Sequence, residues 1–380
     1  MILRSVIFTG AVQGLFQILL LRSKNRNTQA DYWLMLWLFV VSVQLFFYFD
    51  DLAPLPYSDG IFGVFAFSIP LLSAPILFHY IYNLSTGKNV DFKRLMIYLA
   101  PWLTFILVTV SIKISQPLDI FIQFGYPHFS NKISPGIPYI FTLPMAIVPG
   151  IYAIMGLMVL HHYQKSLPDR YSYTETINLN WLQWLVFSII ILFIVLFIFI
   201  RFGTQGRFIA GNTVFGYVGA VLSVYVFLVG YLGMRQSTLL MTPAINRVTE
   251  NVEPDGPYKK TGLDETAVEQ IYVRLLKHMV IQKPFLSDDL SLALLAEQLS
   301  ISSNQLSQVI NQKSGSNFFV FVNAYRVEEV KIKLLDPSLS HLSILGIAYE
   351  CGFRSKSAFN RIFKEQTGIS PAAYQRQHKA

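Results

Sequence analysis

The chain has 380 residues, of which 53% are hydrophobic, 15% aromatic and only 14% charged. Globular proteins carry about 25% charged residues, so this composition excludes an ordinary soluble protein. The formal net charge of +8 fits an anionic partner, although membrane proteins also carry basic loops. The single cysteine, Cys351, excludes a disulfide framework and a cysteine-based zinc site.

The composition changes near Arg235, because all five Trp and 24 of the 31 Phe lie before it. Seven apolar stretches in this first part are each roughly long enough to cross ~30 Å of hydrocarbon as a helix. They cover approximately residues 5–21, 32–49, 61–82, 95–114, 137–160, 181–200 and 209–232. We therefore predict that residues 1–235 form a seven-helix transmembrane sensor domain.

The first stretch is short and follows Arg4, as in a signal peptide, but basic residues rather than a small-residue cleavage site come after it. An uncleaved span is therefore favoured. Eight basic residues in the loops that would lie inside, against five outside, predict an outer N-terminus. The protein is then expected to be a multi-pass protein of the inner (cytoplasmic) membrane, with its C-terminal part in the cytoplasm. If the first span were absent, the remaining six spans would also leave the C-terminal part in the cytoplasm.

Two features of the membrane part leave alternatives open. Prolines recur in the third, fourth and fifth spans, where they either frame a ligand cavity between helices or are tolerated kinks. The pair His161 and His162 lacks the HExxH pattern of a zinc protease, so a solvated pair is favoured over a metal site. We expect no metal and no cofactor.

Residues 236–262 are polar and rich in proline and glycine, which predicts a linker. Helical spacing resumes afterwards, with Val268, Ile271, Leu275 and Met279 on one stripe. This stripe is expected to pack on its own domain, and the alternative is that it pairs two subunits in a homodimer. Residues 263–380 otherwise read as short helices, so the whole chain is predicted to be all-α.

Two segments of this tail share one pattern. In the first, Ser291 caps a helix, residues 299–301 form a turn, and Ser302 opens a second helix with Gln305 in capping-box position. In the second, Ser343 caps a helix, residues 351–353 form the turn, and Ser355 opens the next helix. The repetition predicts a tandem helix-turn-helix DNA-binding domain over residues 263–380.

Helical periodicity separates a buried and an exposed face on each second helix. The predicted core positions are Leu306, Val309 and Ile310 in the first, and Phe359, Ile362 and Phe363 in the second. The predicted exposed rows are Asn304, Ser307, Gln308 and Asn311, and then Ser357, Arg361 and Lys364. Asn and Gln bond adenine and Arg bonds guanine in a major groove, although either row alone also fits a solvated helix face. Residues 313–380 carry a net charge of +5, which favours phosphate contacts.

The tail resembles the C-terminal DNA-binding domain of AraC/XylS-type transcription regulators from Ser287 to Arg376. The second motif matches through Ile347-Ala348, Cys351-Gly352-Phe353, Ser357, Phe359, Arg361, Phe363-Lys364, Gly368, Ser370-Pro371 and Tyr374. The first matches through Leu290, Leu292, Leu295-Ala296, Leu299, Ile301-Ser302, Leu306-Ser307 and Gly315, and the joining helix through Tyr325-Arg326-Val327. The resemblance implies two recognition helices in successive major-groove turns of double-stranded promoter DNA. By matched position it assigns base reading to Asn304, Ser307, Gln308, Ser357, Ala358 and Arg361.

The sequence also departs from this pattern. Leu294 and Gly346 stand where the family often has a capping Glu, so each first helix is expected to lack that capping-box bond. No basic residue occurs from Ser302 to Gln312, so affinity is expected to depend on Arg361, Lys356 and Lys364. The predicted phosphate contacts are Ser303, Lys313, Ser355, Lys356 and Lys364. Cys351 is expected to be a small buried side chain rather than a redox switch.

These features predict a bacterial-type, membrane-embedded one-component transcription regulator and not an enzyme. Its partners are expected to be promoter DNA, the lipid bilayer, and an unknown small-molecule or membrane signal perceived by the transmembrane half. The alternative is a transporter or membrane enzyme whose helix-turn-helix tail is a regulatory or docking module.

Overall fold

The computed structural model describes residues 2–51, 61–88, 91–115, 120–123, 126–129, 137–175, 177–198, 211–240 and 263–378. Contacts between residues divide the chain into two units. The first comprises Met1–His161 and Leu179–Thr238, and the second comprises His162–Asn178 and Leu239–Ala380. A stretch of chain that is distant in sequence from the tail therefore belongs to the same unit as the tail.

Long apolar helices make up the first unit. They are α1 (Ile2–Arg22), α2 (Gln29–Asp51), α3 (Ile61–Thr86), α4 (Phe92–Ser115), α5 (Ile137–Arg170), α6 (Asn180–Ile198) and α7 (Gly211–Leu240), and the last residues of α5 and α7 lie in the second unit. A helix satisfies its own backbone hydrogen bonds, which is why apolar stretches of this length adopt it in lipid. Six are long and apolar enough to cross a membrane, whereas the described apolar part of α6, Asn180–Val195, is shorter. Six candidate spans are thus present in the described chain, and the predicted seventh is not confirmed.

Small residues bring α1, α2 and α7 close together. A Cβ added at Gly10 of α1 would lie 2.3 Å from Ser223 Cβ of α7, and one at Gly14 would lie 2.1 Å from Ser42 Oγ of α2. On α7, a Cβ at Gly230 would lie 1.8 Å from Gln17 Oε1. In lipid, helices associate through such close packing because apolar burial drives little association there. An open groove lies between α1 and α7, with Thr9, Gln13 and Phe227 among its lining residues.

A buried ion pair closes the turn between α1 and α2. The Asp31 carboxylate is 1% exposed, lies 3.1 Å from Lys24 Nζ and accepts hydrogen bonds from the amide and hydroxyl of Thr28, both at 2.8 Å. Lys24 Nζ also donates to the carbonyl of Met234 at 3.5 Å. These bonds compensate the cost of burying the charges and link the turn to the end of α7.

A short antiparallel hairpin follows α4, which the all-α prediction did not include. Strand β1 (Ile120–Gln123) pairs with β2 (Tyr126–Phe129), in a register that places Ile120 opposite Phe129. The described part of the chain is therefore almost entirely helical, with one hairpin between α4 and α5.

Seven further helices are present in the described residues of the second unit. They are α8 (Glu265–Gln282), α9 (Leu292–Gln298), α10 (Ser303–Ser314), α11 (Phe318–Leu335), α12 (Ile344–Glu350), α13 (Lys356–Thr367) and α14 (Pro371–His378). Short 3-10 turns at Pro284–Leu286 and Pro337–Leu339 join some of them. Most of the predicted linker lies outside the described residues, and its first five residues continue α7.

Helix α11 contributes to two hydrophobic cores. Its first half, including Phe318 and Val322, packs with α8, α9 and α10, and its second half, including Val330 and Leu334, packs with α12 and α13. The stripe on α8 is buried in this unit, as the sequence analysis expected, so it is not free to pair subunits. The two helix-turn-helix motifs are consequently fixed to one shared helix.

Candidate nucleic-acid interface

Serine caps begin all four helices of the two motifs, as predicted. The hydroxyl oxygens of Ser291, Ser343 and Ser355 each accept a hydrogen bond from the amide three residues later, at 3.3, 3.0 and 3.1 Å. At α10, Ser302 Oγ accepts from the Gln305 amide at 3.2 Å, and the Ser302 amide donates to Gln305 Oε1 at 3.0 Å. The predicted capping box is confirmed, and it satisfies amides that no helical carbonyl can reach.

Each motif turns through one residue in the left-handed region of backbone space. Ser300 has φ of 55° in the first turn and Gly352 has φ of 87° in the second. A Cβ at Gly352 would lie 2.5 Å from the Phe285 carbonyl oxygen and 2.9 Å from Arg326 Nε. Glycine is thus required in the second turn by both its conformation and its surroundings.

The first recognition helix, α10, presents the predicted polar row. Asn304 is exposed, and Ser307, Gln308 and Asn311 are half-buried. Leu306, Val309 and Ile310 are buried, which confirms the predicted core face. A short row of amides and hydroxyls therefore faces away from the core of this motif.

The second recognition helix, α13, presents Ser357, Arg361 and Lys364 at its surface, while Phe359, Ile362 and Phe363 are buried as predicted. Ala358 is 5% exposed and belongs to the core, so its methyl group is not accessible to a base in this arrangement. The Arg361 side chain is half exposed. Its Nη1 lies 3.3 Å from Glu365 Oε1 on the same helix, and its Nη2 lies 3.3 Å from Glu175 Oε1.

The predicted phosphate contacts lie at the ends and outer faces of these helices. Ser303 and Lys356 are the first residues of α10 and α13, and Lys356 and Lys364 are exposed. Ser355 is occupied as the cap of α13, and Lys313 forms an ion pair with Glu269 of α8. Amides and cations at a helix N-terminus suit phosphate binding.

A buried arginine behind the recognition helices was not predicted as functional. Arg326 of α11 is 1% exposed, and its guanidinium donates to the carbonyls of Phe285 and Ser287, both at 2.8 Å, and to Asn323 Oδ1 at 3.3 Å. It also donates to the carbonyl and the hydroxyl of Ser172, both at 3.0 Å. Burial lowers the pKa of Arg326 from 12.5 to about 10, so it stays charged at neutral pH.

The sequence held a signal for this residue. Arg326 lies four residues after Val322 and four before Val330, and both valines are fully buried, so helical periodicity places the arginine on the buried face. A buried cation needs hydrogen-bond acceptors around it. One of the acceptors, Ser172, lies 154 residues away in the chain, so no local sequence pattern predicts its contact with Arg326.

Cys351 is fully buried in the core of the second motif, as expected. Burial raises the pKa of its thiol from 9.0 to about 11, so the thiol stays protonated at neutral pH. Within the described part of the chain, no three His, Cys, Asp or Glu side chains are grouped as a metal ion would require.

Comparison with known proteins gives matches to the second unit. A family model described as a helix-turn-helix domain matches residues 295–377. An HTH-type transcriptional regulator from Staphylococcus aureus (strain COL) is 29% identical over 136 residues, which cover 30% of this chain and 18% of that protein. The HTH-type transcriptional regulator YpdC from Escherichia coli (strain K12) is 32% identical over 79 residues, covering 21% and 27%.

Among solved structures, the C-terminal domain of AraT, a response regulator from Geobacillus stearothermophilus, is 29% identical. The match covers 32% of this chain and 91% of that one, with a TM-score of 0.25. The chain spans about a fifth to a quarter of the length of the two curated relatives. Together with the capped helices and their shared core, the sequence matches show that the C-terminal part of this chain carries an AraC-type helix-turn-helix domain.

Proposed function

We propose that the protein is a membrane-embedded one-component transcription regulator. It binds double-stranded promoter DNA through α10 and α13 in response to a signal perceived by its transmembrane half, and it is not an enzyme. The observation that carries the proposal is the pair of capped recognition helices fixed to α11, in a chain whose described residues up to Arg235 include six helices long and apolar enough to cross a membrane. A sensor and a DNA reader in one chain need no phosphorelay between them.

The proposal includes seven spans, with α6 as the sixth, in the inner membrane. An outer N-terminus then leaves the α5–α6 connection and the tail in the cytoplasm. The proposal that α6 is a span is supported by the packing of that connection and the tail in one unit. The two segments must then lie on the same side of a bilayer, which requires both α6 and α7 to cross it.

At the DNA surface, we assign base reading to Asn304, Ser307 and Gln308 of α10 and to Ser357 and Arg361 of α13. Phosphate contacts come from Ser303, Ser355, Lys313, Lys356 and Lys364. Arg361 can bond guanine O6 and N7 bidentately, which discriminates against other bases by about 1–3 kcal/mol. Each lysine adds a positive charge that attracts phosphates but does not discriminate between base sequences.

The experiment is footprinting of the full-length protein, in lipid nanodiscs, on the DNA that flanks its own gene. We expect a protected site of two adjacent major-groove turns. If no sequence is protected more strongly than bulk DNA at low ionic strength, the proposal is wrong. Solute flux or substrate turnover by a chain that ends after Arg235 would instead favour a transporter or a membrane enzyme.

Two matched substitutions on α13 test the assignments. Arg361→Ala should cost about 1–3 kcal/mol of binding free energy and relax the preference at one base position. Lys364→Ala should weaken all sequences similarly and reduce the dependence of log Kd on log salt concentration by about one. Equal affinity of Arg361→Ala and wild type for the footprinted site would contradict the base-reading role.

A further inference from the structure

The connection between α5 and α6 packs against the helix-turn-helix domain within the second unit. Residues 171–178, of which all but Thr176 are described, are called the α5–α6 loop below. Tyr171 forms an antiparallel backbone bridge with Ser291, the cap of α9. The amide and hydroxyl of Ser172 donate to the Leu290 carbonyl, at 3.3 and 2.6 Å. The loop therefore joins the domain by backbone pairing at the start of the first motif.

Apolar contacts strengthen this pairing. Tyr171, Tyr173 and Ile177 are buried in a cluster with Leu167, and Ala293 of α9 packs against it. The loop conformation is also held from α5, because the Tyr163 hydroxyl donates to the Ile177 carbonyl at 2.8 Å. The loop is thus a preformed segment with a buried face, not an exposed connection.

Three arginines of the domain contact three nearly consecutive residues of the loop. Arg326 of the shared helix donates to Ser172, which is 2% exposed, as described above. The Arg354 guanidinium lies over the Tyr173 ring, 3.9 Å from its centroid. Arg361 of α13 pairs with Glu175. Arg326 and Arg354 thus hold the loop on the domain, and Arg361 is the one of the three that belongs to the exposed row of α13.

The contacts differ in strength and therefore in role. The Arg361–Glu175 pair is exposed, and such pairs are weak because water screens them. The hydrogen bonds between Arg326 and Ser172 are buried and involve a charge, and bonds of this kind are stronger. Ser172 consequently holds the loop in place, and this position of the loop brings the Glu175 carboxylate next to the recognition helix α13.

Glu175 and DNA compete for the same guanidinium. A carboxylate offers Arg361 the same acceptor geometry that guanine offers through O6 and N7, and it carries a negative charge. With the loop docked, that charge would lie beside the phosphates of any duplex in contact with α13. DNA must therefore displace Glu175 before Arg361 can read a base.

We propose that the α5–α6 loop is an internal inhibitory segment of the DNA-binding domain: docked on Arg326, Arg354 and Arg361 it opposes DNA binding through α13, and it is released when DNA binds. Because the loop continues directly from α5 and leads into α6, a rearrangement of those helices would change its docking. This inference deepens the proposed function and rests on it.

The test is the affinity of the full chain, in nanodiscs, for a duplex of the footprinted site. Ser172→Ala removes the hydroxyl that accepts from Arg326 and donates to Leu290, and we expect about a tenfold lower Kd. Ser166→Ala is the matched control, because the Ser166 hydroxyl bonds the Tyr163 carbonyl within α5 at 2.8 Å, and its Kd should equal that of wild type. A Kd for Ser172→Ala that equals the wild-type value would overturn the proposal.

Hydrogen exchange of the unmodified chain gives a second test that does not depend on how Ser172→Ala folds. Saturation with the same duplex should speed amide exchange in residues 171–178 at least several-fold, since the Ser172 amide loses its bond to Leu290. Unchanged or slower exchange there, in protein that does bind the duplex, would refute loop release. Absence of DNA binding by wild type would instead refute the proposed function, so the two failures are distinct.

Discussion

Gly352 lies where the turn of the second motif approaches Arg326 most closely. Gly352→Ala would place a methyl group 2.5 Å from a carbonyl oxygen in a backbone conformation with φ of 87°. The left-handed conformation alone costs about 1–2 kcal/mol for an L-residue, and the overlap adds to it, so we expect a loss on the order of 3 kcal/mol in the stability of the second motif. Faster hydrogen exchange across residues 344–367 would measure it.

Gly368 provides the matched comparison for this substitution. Its φ is 79°, and a Cβ there would meet no atom within 4 Å. Gly368→Ala should therefore cost only the conformational term, about 1–2 kcal/mol. If both alanine variants lose the same stability, the close approach at Gly352 contributes nothing.

The thiol of Cys351 is protected by burial in the same core. Its pKa is raised to about 11, so the thiolate fraction at pH 8 is about 100-fold below that of a free cysteine. We expect iodoacetamide to label the native chain at least that much more slowly than the chain in denaturant, as measured by mass spectrometry. Rapid native labelling at pH 8 would contradict this placement.

The pH dependence of stability follows from the same pKa. The folded state favours the protonated Cys351 thiol. The contribution of this thiol to the free energy of unfolding is therefore complete below about pH 9 and is lost as the pH rises through about 11. Cys351→Ser should remove the loss of stability at alkaline pH and leave the pH dependence of stability near neutral pH unchanged.

Helix α10 differs from the other helices of the two motifs in having a full capping box. Ser302→Ala removes the Ser302 acceptor of the capping box and should cost about 1 kcal/mol, which corresponds to about fivefold faster amide exchange in α10. Ser303→Ala, one residue later, leaves the box intact and should change stability by less than about 0.5 kcal/mol. An equal effect of the two substitutions would show that the box does not stabilise the helix.

Helix α11 explains how the two motifs act together. Since its halves belong to different cores, the orientation of α10 relative to α13 depends on packing along one continuous helix. Arg326 lies near the middle of that helix and bonds the Phe285 and Ser287 carbonyls, which precede the first motif. A rigid spacing of two recognition helices is what adjacent major-groove turns require.

For the molecule as a whole, the proposed set of seven spans predicts which segments share a side of the membrane. Reporter fusions after Ser166 and after Ala380 should both give cytoplasmic signals, and one after residue 130 should give an external signal, given seven spans with an outer N-terminus. Opposite signals from the first two positions would exclude the loop contact in the membrane-inserted protein.

Local sequence determined the helices of this protein and the faces they bury, because capping, turn chemistry and the 3.6-residue period act over a few neighbours. The serine caps, the buried stripes of α10 and α13 and the long apolar helices were accordingly predictable, whereas the hairpin after α4 carried too short a pattern. Helical periodicity also places Ala358, one turn before Ile362, on the buried face, but only the tertiary structure decided that Ser172 and Glu175 bind arginines more than 150 residues away. Such contacts depend on how separate helices pack, and no local periodicity encodes them.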